Sequence, residues 1–265
     1  MEGWRHLARR SVHAVREQDP RRVAMFAMGR VLNAIGGKAL HYTQRPTLLD
    51  FAELSDTTTD PAIMAAALGC PEPDFTRYLK EFEESVNAAQ QDLASLRFPD
   101  ACRSELDTQR VLYSLIRAHR PTVVLETGVA DGFSSFAILS ALEANGEGHL
   151  HSIDIRSDVG VLVPRQLEGR WTLHVIDDQE LERSTKETLS AMPSIDFYYH
   201  DSGHSYLWQA FEYATVARKM TGGGVFLSDD IDWSYAFIDH CTTIRQKPTL
   251  MLDKRKVIGG YIVST

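Results

Sequence analysis

The sequence predicts an α/β fold: a doubly wound, mostly parallel sheet of seven strands with a C-terminal antiparallel hairpin, preceded by a helical N-terminal region. From Pro121 onward, short apolar runs alternate with helical stretches, and five runs are centred near residues 124, 152, 174, 198 and 226. A spacing of about 25 residues is typical of strand–helix crossovers, and strands that are apolar on both faces indicate a sheet covered by helices on both sides. The last two runs, PTLML and VIGGYIVS, are separated by only four charged residues, which predicts the hairpin.

The preceding residues, 1–104, predict helices and loops rather than strands. Within FTRYLKEFEESVNAAQQDLASL, the apolar residues Phe75, Tyr78, Leu79 and Phe82 recur at helical spacing. The next helix, SELDTQRVLYSLIRAH, leads into the α/β domain of residues 105–265, with Ser104 and Asp107 as candidate caps. Residues 1–104 are expected to act as a lid, a substrate cover or an oligomer surface. Their arginine-rich start predicts either a solvated helix or a basic amphipathic helix on a membrane or partner.

Composition restricts the class of protein. The 265 residues carry 28 basic and 36 acidic side chains, a formal net charge of −8, which disfavours nucleic acid as a partner. No run is apolar for the roughly 20 residues that a transmembrane helix needs. The three cysteines form no metal-binding or disulfide spacing, so a reducing cytoplasm is expected.

The segments that follow the first three strands indicate a nucleoside ligand. In open parallel sheets, ligands bind beyond the carboxyl ends of the strands. The first strand is followed by ETGVADGFSS, whose glycines allow close backbone approach and whose spacing is not the G-x-G-x-x-G of dinucleotide sites. The second strand ends in Asp154, an acid placed to accept ribose hydroxyls, and the third in Asp177 and Asp178, placed to border an adenine. Each feature has a simpler alternative, an ordinary turn or a helix cap.

The ends of the fourth and fifth strands indicate a divalent cation. Asp201 follows IDFYYH, and Asp229 and Asp230 follow VFLS. Carboxylate oxygens are the ligands that Mg²⁺ prefers, and three unpaired carboxylates at adjacent strand ends would repel one another. His204, three residues after Asp201, has the ordinary pKa of a base that works near neutrality, although an exposed turn histidine is the alternative. His200 should point to the opposite face of its strand and is expected to be structural.

In their order, the motifs ETGVADGFSS, HSIDI, VIDDQE, IDFYYHD and GGGVFLSDD, followed by a hairpin, resemble class I S-adenosylmethionine-dependent methyltransferases. The resemblance covers about residues 105–265 and is closest to the metal-dependent O-methyltransferase branch, with its catechol-type and macrocin-type natural-product enzymes. It implies the Rossmann-like methyltransferase fold, with cofactor contacts from Glu126, Thr127, Gly128, Gly132, Ser134, Asp154 and Asp178.

The same resemblance implies a metal site and a catalytic base. Asp201, Asp229 and Asp230 would bind Mg²⁺ or another divalent cation, and His204 would be the catalytic base. Two departures from the branch stand out: His204 replaces the lysine of catechol-type relatives, and Gly203 stands where macrocin-type relatives tend to have an acid.

The resulting hypothesis is an O-methyltransferase that acts on a hydroxyl of a small molecule such as a natural product, sugar or phenol, either as a monomer or as a homo-oligomer. A metal-independent methyltransferase and a non-catalytic S-adenosylmethionine-binding protein are the alternatives. An NAD-dependent oxidoreductase is disfavoured by the missing dinucleotide motif.

Overall fold

The computed structural model describes residues 44–89 and 93–265. Residues Pro46–Thr265 form one compact unit, and the arginine-rich first thirty residues lie outside the described ranges. The predicted boundary near residue 104 stays a prediction. The helices are α1 Leu48–Leu54, α2 Pro61–Ala67, α3 Glu72–Ala89, α4 Leu106–His119, α5 Phe133–Asn145, α6 Leu181–Ala191, α7 Tyr206–Ala217 and α8 Ala236–Ile244. The strands are β1 Thr57–Thr58, β2 Val123–Thr127, β3 His149–Asp154, β4 Trp171–Val175, β5 Ile195–His200, β6 Met220–Ser228, β7 Thr249–Asp253 and β8 Lys256–Ile262.

The strands form one sheet in the order β1-β7-β8-β6-β5-β2-β3-β4. Neighbours from β4 to β6 pair in parallel, whereas β8 is antiparallel to both β6 and β7. This confirms the predicted doubly wound, mostly parallel sheet with its C-terminal hairpin. The two-residue β1, too short to predict from an apolar run, adds an eighth strand beside β7. The chain order reverses between β2 and β5, and the crevice at the carboxyl ends of these two strands is where such sheets bind ligands.

The sheet is buried on both faces because its central strands carry apolar side chains at successive positions. On β5, Phe197 and Tyr199 belong to one buried cluster, with residues of α2 to α5, and Tyr198 belongs to the other, with residues of α6 to α8. Since successive side chains on a strand point to opposite faces, this alternation assigns each cluster to one face. The two layers of helices hold the carboxyl ends of the strands in a fixed arrangement.

The helix α4 begins without the predicted caps. Its N-cap residue, Glu105, makes no side-chain capping bond. Instead the buried Asp253, at the end of β7, accepts hydrogen bonds of 2.8 Å from both the backbone N–H and the hydroxyl of Thr108. The helix start is thereby tied to the C-terminal hairpin, a long-range contact that the local sequence does not indicate.

Two further findings concern the described residues. None of their helices is long and apolar enough to cross a membrane. All three cysteines are free thiols, and of these Cys70 and Cys241 are buried and Cys102 is exposed.

His240 on α8 makes stability depend on pH. Its ring stacks on Phe226 and its Nε2 lies 2.8 Å from the hydroxyl of Tyr261. Burial lowers the pKa of His240 from 6.5 to about 4. The unfolded chain therefore takes up this proton first, and stability should fall by up to about 3 kcal/mol as the pH drops from 6.5 to 4. Denaturant unfolding of the wild type and of His240→Phe at both pH values tests this; equal pH slopes in the two proteins would contradict it.

Candidate active site

The carboxyl ends of β2 and β5 approach each other closely at the switch point. The backbone N–H of Asp201 donates to the carbonyl of Thr127 over 2.8 Å. Gly128, which follows β2, has a φ of +84°, and a Cβ atom there would lie 2.1 Å from the carbonyl oxygen of Asp201. Only glycine permits both the conformation and the contact. The structure thus brings the glycine-containing loop and the predicted metal ligand Asp201 to one point.

Glu126 on β2 is fully buried under this loop. Its carboxylate accepts hydrogen bonds from the hydroxyls of Ser134 and Ser135, both at 2.6 Å, and of Ser152 at 2.8 Å. Burial raises the pKa of Glu126, and the three hydroxyl bonds partly oppose this shift. Ser134 therefore does not cap α5, whose N-cap is Gly132 with a φ of +92°. Glu126 and Ser134 lie together, beneath the loop that the resemblance assigns to the cofactor.

The other predicted cofactor residues lie around the same loop or beyond it. Thr127 is buried, and its hydroxyl lies 3.3 Å from that of Tyr198, within the sheet. Asp154, at the end of β3, accepts the backbone N–H of Val129 over 2.9 Å and that of Arg156 over 3.0 Å. These bonds fix the orientation of its carboxylate at the sheet edge. Asp178 is exposed on the loop after β4.

The buried Asp131, in the middle of the loop, is a residue that the sequence reasoning missed. Its carboxylate accepts the backbone N–H groups of Arg97 and Phe98, over 2.8 and 3.2 Å. Farther along the same segment, the hydroxyl of Ser104 donates to Asp201 over 3.3 Å. The segment 97–104 therefore runs from the glycine-containing loop to Asp201. An acid between two glycines was the only signal for it in the sequence.

Asp201, His204 and Asp230 form a compact group beside this crevice. Each offers one ligand atom, and the three atoms all lie within 4.8 Å of one another. Nε2 of His204 is 3.2 Å from Oδ2 of Asp230. The backbone of Asp230 is left-handed, with a φ of +49°. The structure therefore brings Asp201 together with Asp230, one of the two acids that follow β6.

Asp229 makes a different contact. Its Oδ2 lies 2.6 Å from Nζ of Lys256, the first residue of β8, and both side chains are buried. The same Nζ is 3.8 Å from Oδ2 of Asp230. The role of Asp229 as a metal ligand stays a prediction, and Lys256 is a second residue that the sequence reasoning missed, because it follows three charged residues of an apparent surface turn.

The electrostatics of this site are unbalanced toward negative charge. Burial, and then the charge of Asp229, raise the pKa of Asp201 well above its ordinary value. Burial also raises the pKa of Asp229 to about 6, against the opposing effect of Lys256. Burial alone would lower the pKa of Lys256, but the carboxylates of Asp229, Asp201 and Asp230 more than offset this and raise it. Three carboxylates thus face one ammonium group.

A divalent cation fits this set of donors. Two positive charges would balance the surplus of carboxylates, and oxygen ligands suit Mg²⁺. The ligand atoms of Asp201 and Asp230 lie within 4.8 Å of each other, so both carboxylates could contact one ion after a small movement. Asp201 and Asp230 are the residues best placed to hold the ion.

Some of the remaining histidine and aromatic residues are buried in the core, and others lie nearer the acidic group. His200 is fully buried, with Nδ1 3.0 Å from Oε2 of Glu212, as expected for a structural histidine. Phe237 is buried in the core. The ring of Trp233 is 6.0 Å from that of His204, whereas the hydroxyl of Tyr235 donates to Asp50 on α1 over 3.0 Å. Of the three aromatic residues after the acid pair, Trp233 therefore lies nearest the acidic group.

Comparison with known proteins agrees with this geometry. Residues 125–231, which include the glycine-containing loop and all three acids, match the family model described as a methyltransferase domain. This part of the chain is therefore similar to a methyltransferase domain. The predicted recognition as a class I S-adenosylmethionine-dependent methyltransferase is thereby confirmed. No curated protein matches the chain by sequence.

Two solved structures have a similar fold over most of this chain. The O-methyltransferase from Bacillus cereus in complex with SAH is 13% identical, with a TM-score of 0.53 over 69% of this chain and 90% of that chain. The O-methyltransferase TomG from Streptomyces achromogenes, involved in tomaymycin synthesis and solved with SAM, is also 13% identical, with a TM-score of 0.51 over 72% of this chain and 90% of that chain. At this identity the similarity shows the fold, and the acceptor is a separate question.

Proposed function

We propose that the protein is an S-adenosylmethionine-dependent O-methyltransferase that requires a divalent cation, Mg²⁺ in the first instance, and acts on a hydroxyl of a small molecule. The observation that carries the proposal is the convergence of Asp201, His204 and Asp230 beside the glycine-containing loop of a methyltransferase domain. Such a surplus of closely spaced carboxylates needs a positive charge. The small-molecule acceptor and a cytoplasmic location remain the expectations of the sequence.

The donor would be held by the edge of the sheet around β2 and β3. Gly128 and Gly132 have no side chains and would leave room for the methionine part of the donor beside the loop. Glu126 and Ser134 lie beneath this loop. Asp154 is already oriented by two backbone N–H groups and can accept hydroxyl groups of the ribose. Asp178 remains the candidate for the adenine end.

The acceptor would be activated at the acidic group. Asp201 and Asp230 would hold the cation, which as a Lewis acid lowers the pKa of an acceptor hydroxyl. His204, whose ring lies beside Asp230, would take up the hydroxyl proton. The acceptor oxygen then bonds to the donor methyl carbon as the carbon–sulfur bond breaks. Correct alignment of two such reactants can lower a barrier by roughly 7–11 kcal/mol, and the rigid ends of β2 and β5 supply it.

A metal-independent O-methyltransferase is the second candidate, and one observation favours it. The ammonium group of Lys256 already places a cation 2.6 Å from Asp229 and 3.8 Å from Asp230. In that case this lysine would neutralise the acids without an added ion. The surplus of carboxylates over ammonium groups favours the first candidate.

Removal of divalent cations distinguishes the metal-dependent candidate from the metal-independent one. The full chain, incubated with methyl-labelled S-adenosylmethionine and a pool of hydroxylated small molecules, is expected to transfer label to a hydroxyl. EDTA should abolish the transfer and added MgCl₂ restore it, while calorimetry shows donor binding in both conditions. Transfer that persists in EDTA would select the metal-independent candidate. Donor binding without transfer to any acceptor would indicate a non-catalytic protein, and absence of donor binding would overturn the proposal.

A further inference from the structure

Lys256 contacts Asp229 and Asp230, and the proposed mechanism gives it no role. Its side chain is 3% exposed although it follows the charged turn of the β7–β8 hairpin. A buried lysine requires compensation, and Asp229 and Asp230 supply it. Because its ammonium group contacts both acids, Lys256 can influence their orientation and the net charge of the site.

The hairpin turn holds Lys256 in place from both sides. Asp253 is bound by Thr108 at the start of α4. Arg255 pairs with Glu105 over 2.5 Å and donates to the carbonyl of Asp100 over 2.6 Å. Both sides of Lys254 in the turn are therefore anchored to α4 or to the segment that leads into it, which fixes the backbone that carries Lys256.

Lys256 also determines what Asp229 can bind. Oδ2 of Asp229 contacts the ammonium group, with the hydroxyl of Tyr199 at 3.3 Å, and Oδ1 accepts the backbone N–H of Asp230 over 2.9 Å. Both oxygens are engaged within the protein. By contrast, Oδ2 of Asp230 lies toward His204, in the group that includes Asp201.

We propose that Lys256 is a positioning residue that keeps Asp229 out of the ligand set of the cation and limits the negative charge of the site to what a divalent ion balances. This inference rests on the cation of the proposed function, and it adds that Lys256 sets the affinity of the site for that cation. Without the lysine, Asp229 would become free to turn toward the ion, and the site would gain one negative charge. With it, the ion is held by fewer protein ligands and keeps open positions for the acceptor.

Titration of metal-free full-length protein with MnCl₂, followed by electron paramagnetic resonance of the free ion, tests the proposal without any methyl transfer. Lys256→Met is expected to bind Mn²⁺ at least about tenfold more tightly than the wild type, because a positive charge a few ångströms away is removed and a carboxylate is released. Water-proton relaxation of the bound Mn²⁺ should also fall, since Asp229 displaces a water ligand. A lysine that merely supports the fold would not produce a gain in affinity.

Two variants control for charge and folding. Lys254→Met removes an exposed lysine of the same turn, which pairs with Glu105 over 3.3 Å, and should leave Mn²⁺ affinity unchanged. The double variant Asp229→Asn, Lys256→Met removes both buried charges and should bind within about threefold of the wild type, since the net charge of the site is restored. If Lys256→Met alone does not fold, the Mn²⁺ affinity of the double variant still tests the proposal.

The outcomes distinguish this inference from the proposed function. A wild type that binds Mn²⁺, with equal or weaker binding by Lys256→Met, overturns the role of Lys256 alone. Binding by the double variant more than about tenfold weaker than the wild type would mean that Asp229 is itself a ligand, and also overturns it. If neither the wild type nor the variants bind Mn²⁺, both the cation of the proposed function and this inference are wrong.

Discussion

Asp201→Asn is expected to lower the rate of methyl transfer by about a thousandfold, while the affinity for S-adenosylmethionine changes by less than about threefold. The substitution keeps the size of the side chain but removes the charge that would hold the cation, and a thousandfold loss corresponds to about 4 kcal/mol of transition-state stabilisation. Donor affinity should survive because the glycine-containing loop, Glu126 and Asp154 are unchanged. Steady-state kinetics and calorimetry with the donor measure the two quantities.

The same variant should not lose stability, and this separates function from folding. Burial and the charge of Asp229 raise the pKa of Asp201, so its ionised form is unfavourable in the protein without a cation. Asparagine removes this repulsion, and the melting temperature without divalent ions should stay equal or rise. Added MgCl₂ should stabilise the wild type more than the variant, because only the former binds the ion well.

Ser104→Ala is the matched control for Asp201→Asn. It removes the hydroxyl that donates to Asp201 over 3.3 Å and leaves the carboxylate in place. Activity should fall by no more than about threefold, in line with the small net value of one hydrogen bond. A similar large loss in both variants, or a loss of activity in Asp201→Asn together with a much lower melting temperature, would point to a structural role for this aspartate.

The fold was predictable because its signals are local. Each central strand is a short apolar run. The carboxyl-end rule for parallel sheets was enough to place Asp201, which follows β5, near Asp230, which follows β6, although 29 positions separate them in the chain. The convergence with His204 followed from its position three residues beyond Asp201. These inferences needed only the direction of each strand and the order of the crossovers.

The contacts that were missed depend on pairing between distant segments. Lys256 lies in a run of four charged residues that is typical of a solvated turn, and it is buried because β8 inserts antiparallel beside β6. Asp131 binds backbone groups 33 and 34 positions earlier in the chain. Serine is a common helix-capping residue, yet the hydroxyls of Ser104 and Ser134 donate to Asp201 and Glu126 respectively. Side-chain partners of this kind are fixed by tertiary packing rather than by propensity.

Gly128→Ala is expected to destabilise the protein by more than about 4 kcal/mol, among the largest effects of a single substitution. The added Cβ would lie 2.1 Å from the carbonyl oxygen of Asp201 and 2.9 Å from Cα of Ser202, in addition to the strain of a φ of +84°. Both obstacles are backbone atoms, so no side chain can move aside. Relief requires the ends of β2 and β5 to separate, which breaks the 2.8 Å bond between Asp201 and Thr127.

Gly146→Ala provides the matched control, because it isolates the backbone strain from the crowding. Gly146 follows α5 with a φ of +73°, and a Cβ there would meet nothing within 4 Å. Its substitution should cost only about 1–2 kcal/mol. Chemical denaturation measures both losses, and calorimetry should show that folded Gly128→Ala, unlike Gly146→Ala, binds the donor poorly. Equal losses in the two variants would mean that the contact between the strand ends is not a structural requirement. The expected difference instead makes Gly128 the point where the glycine-containing loop and Asp201 constrain each other. Any shift that admits a larger residue at position 128 also displaces Asp201, the carboxylate proposed to hold the cation.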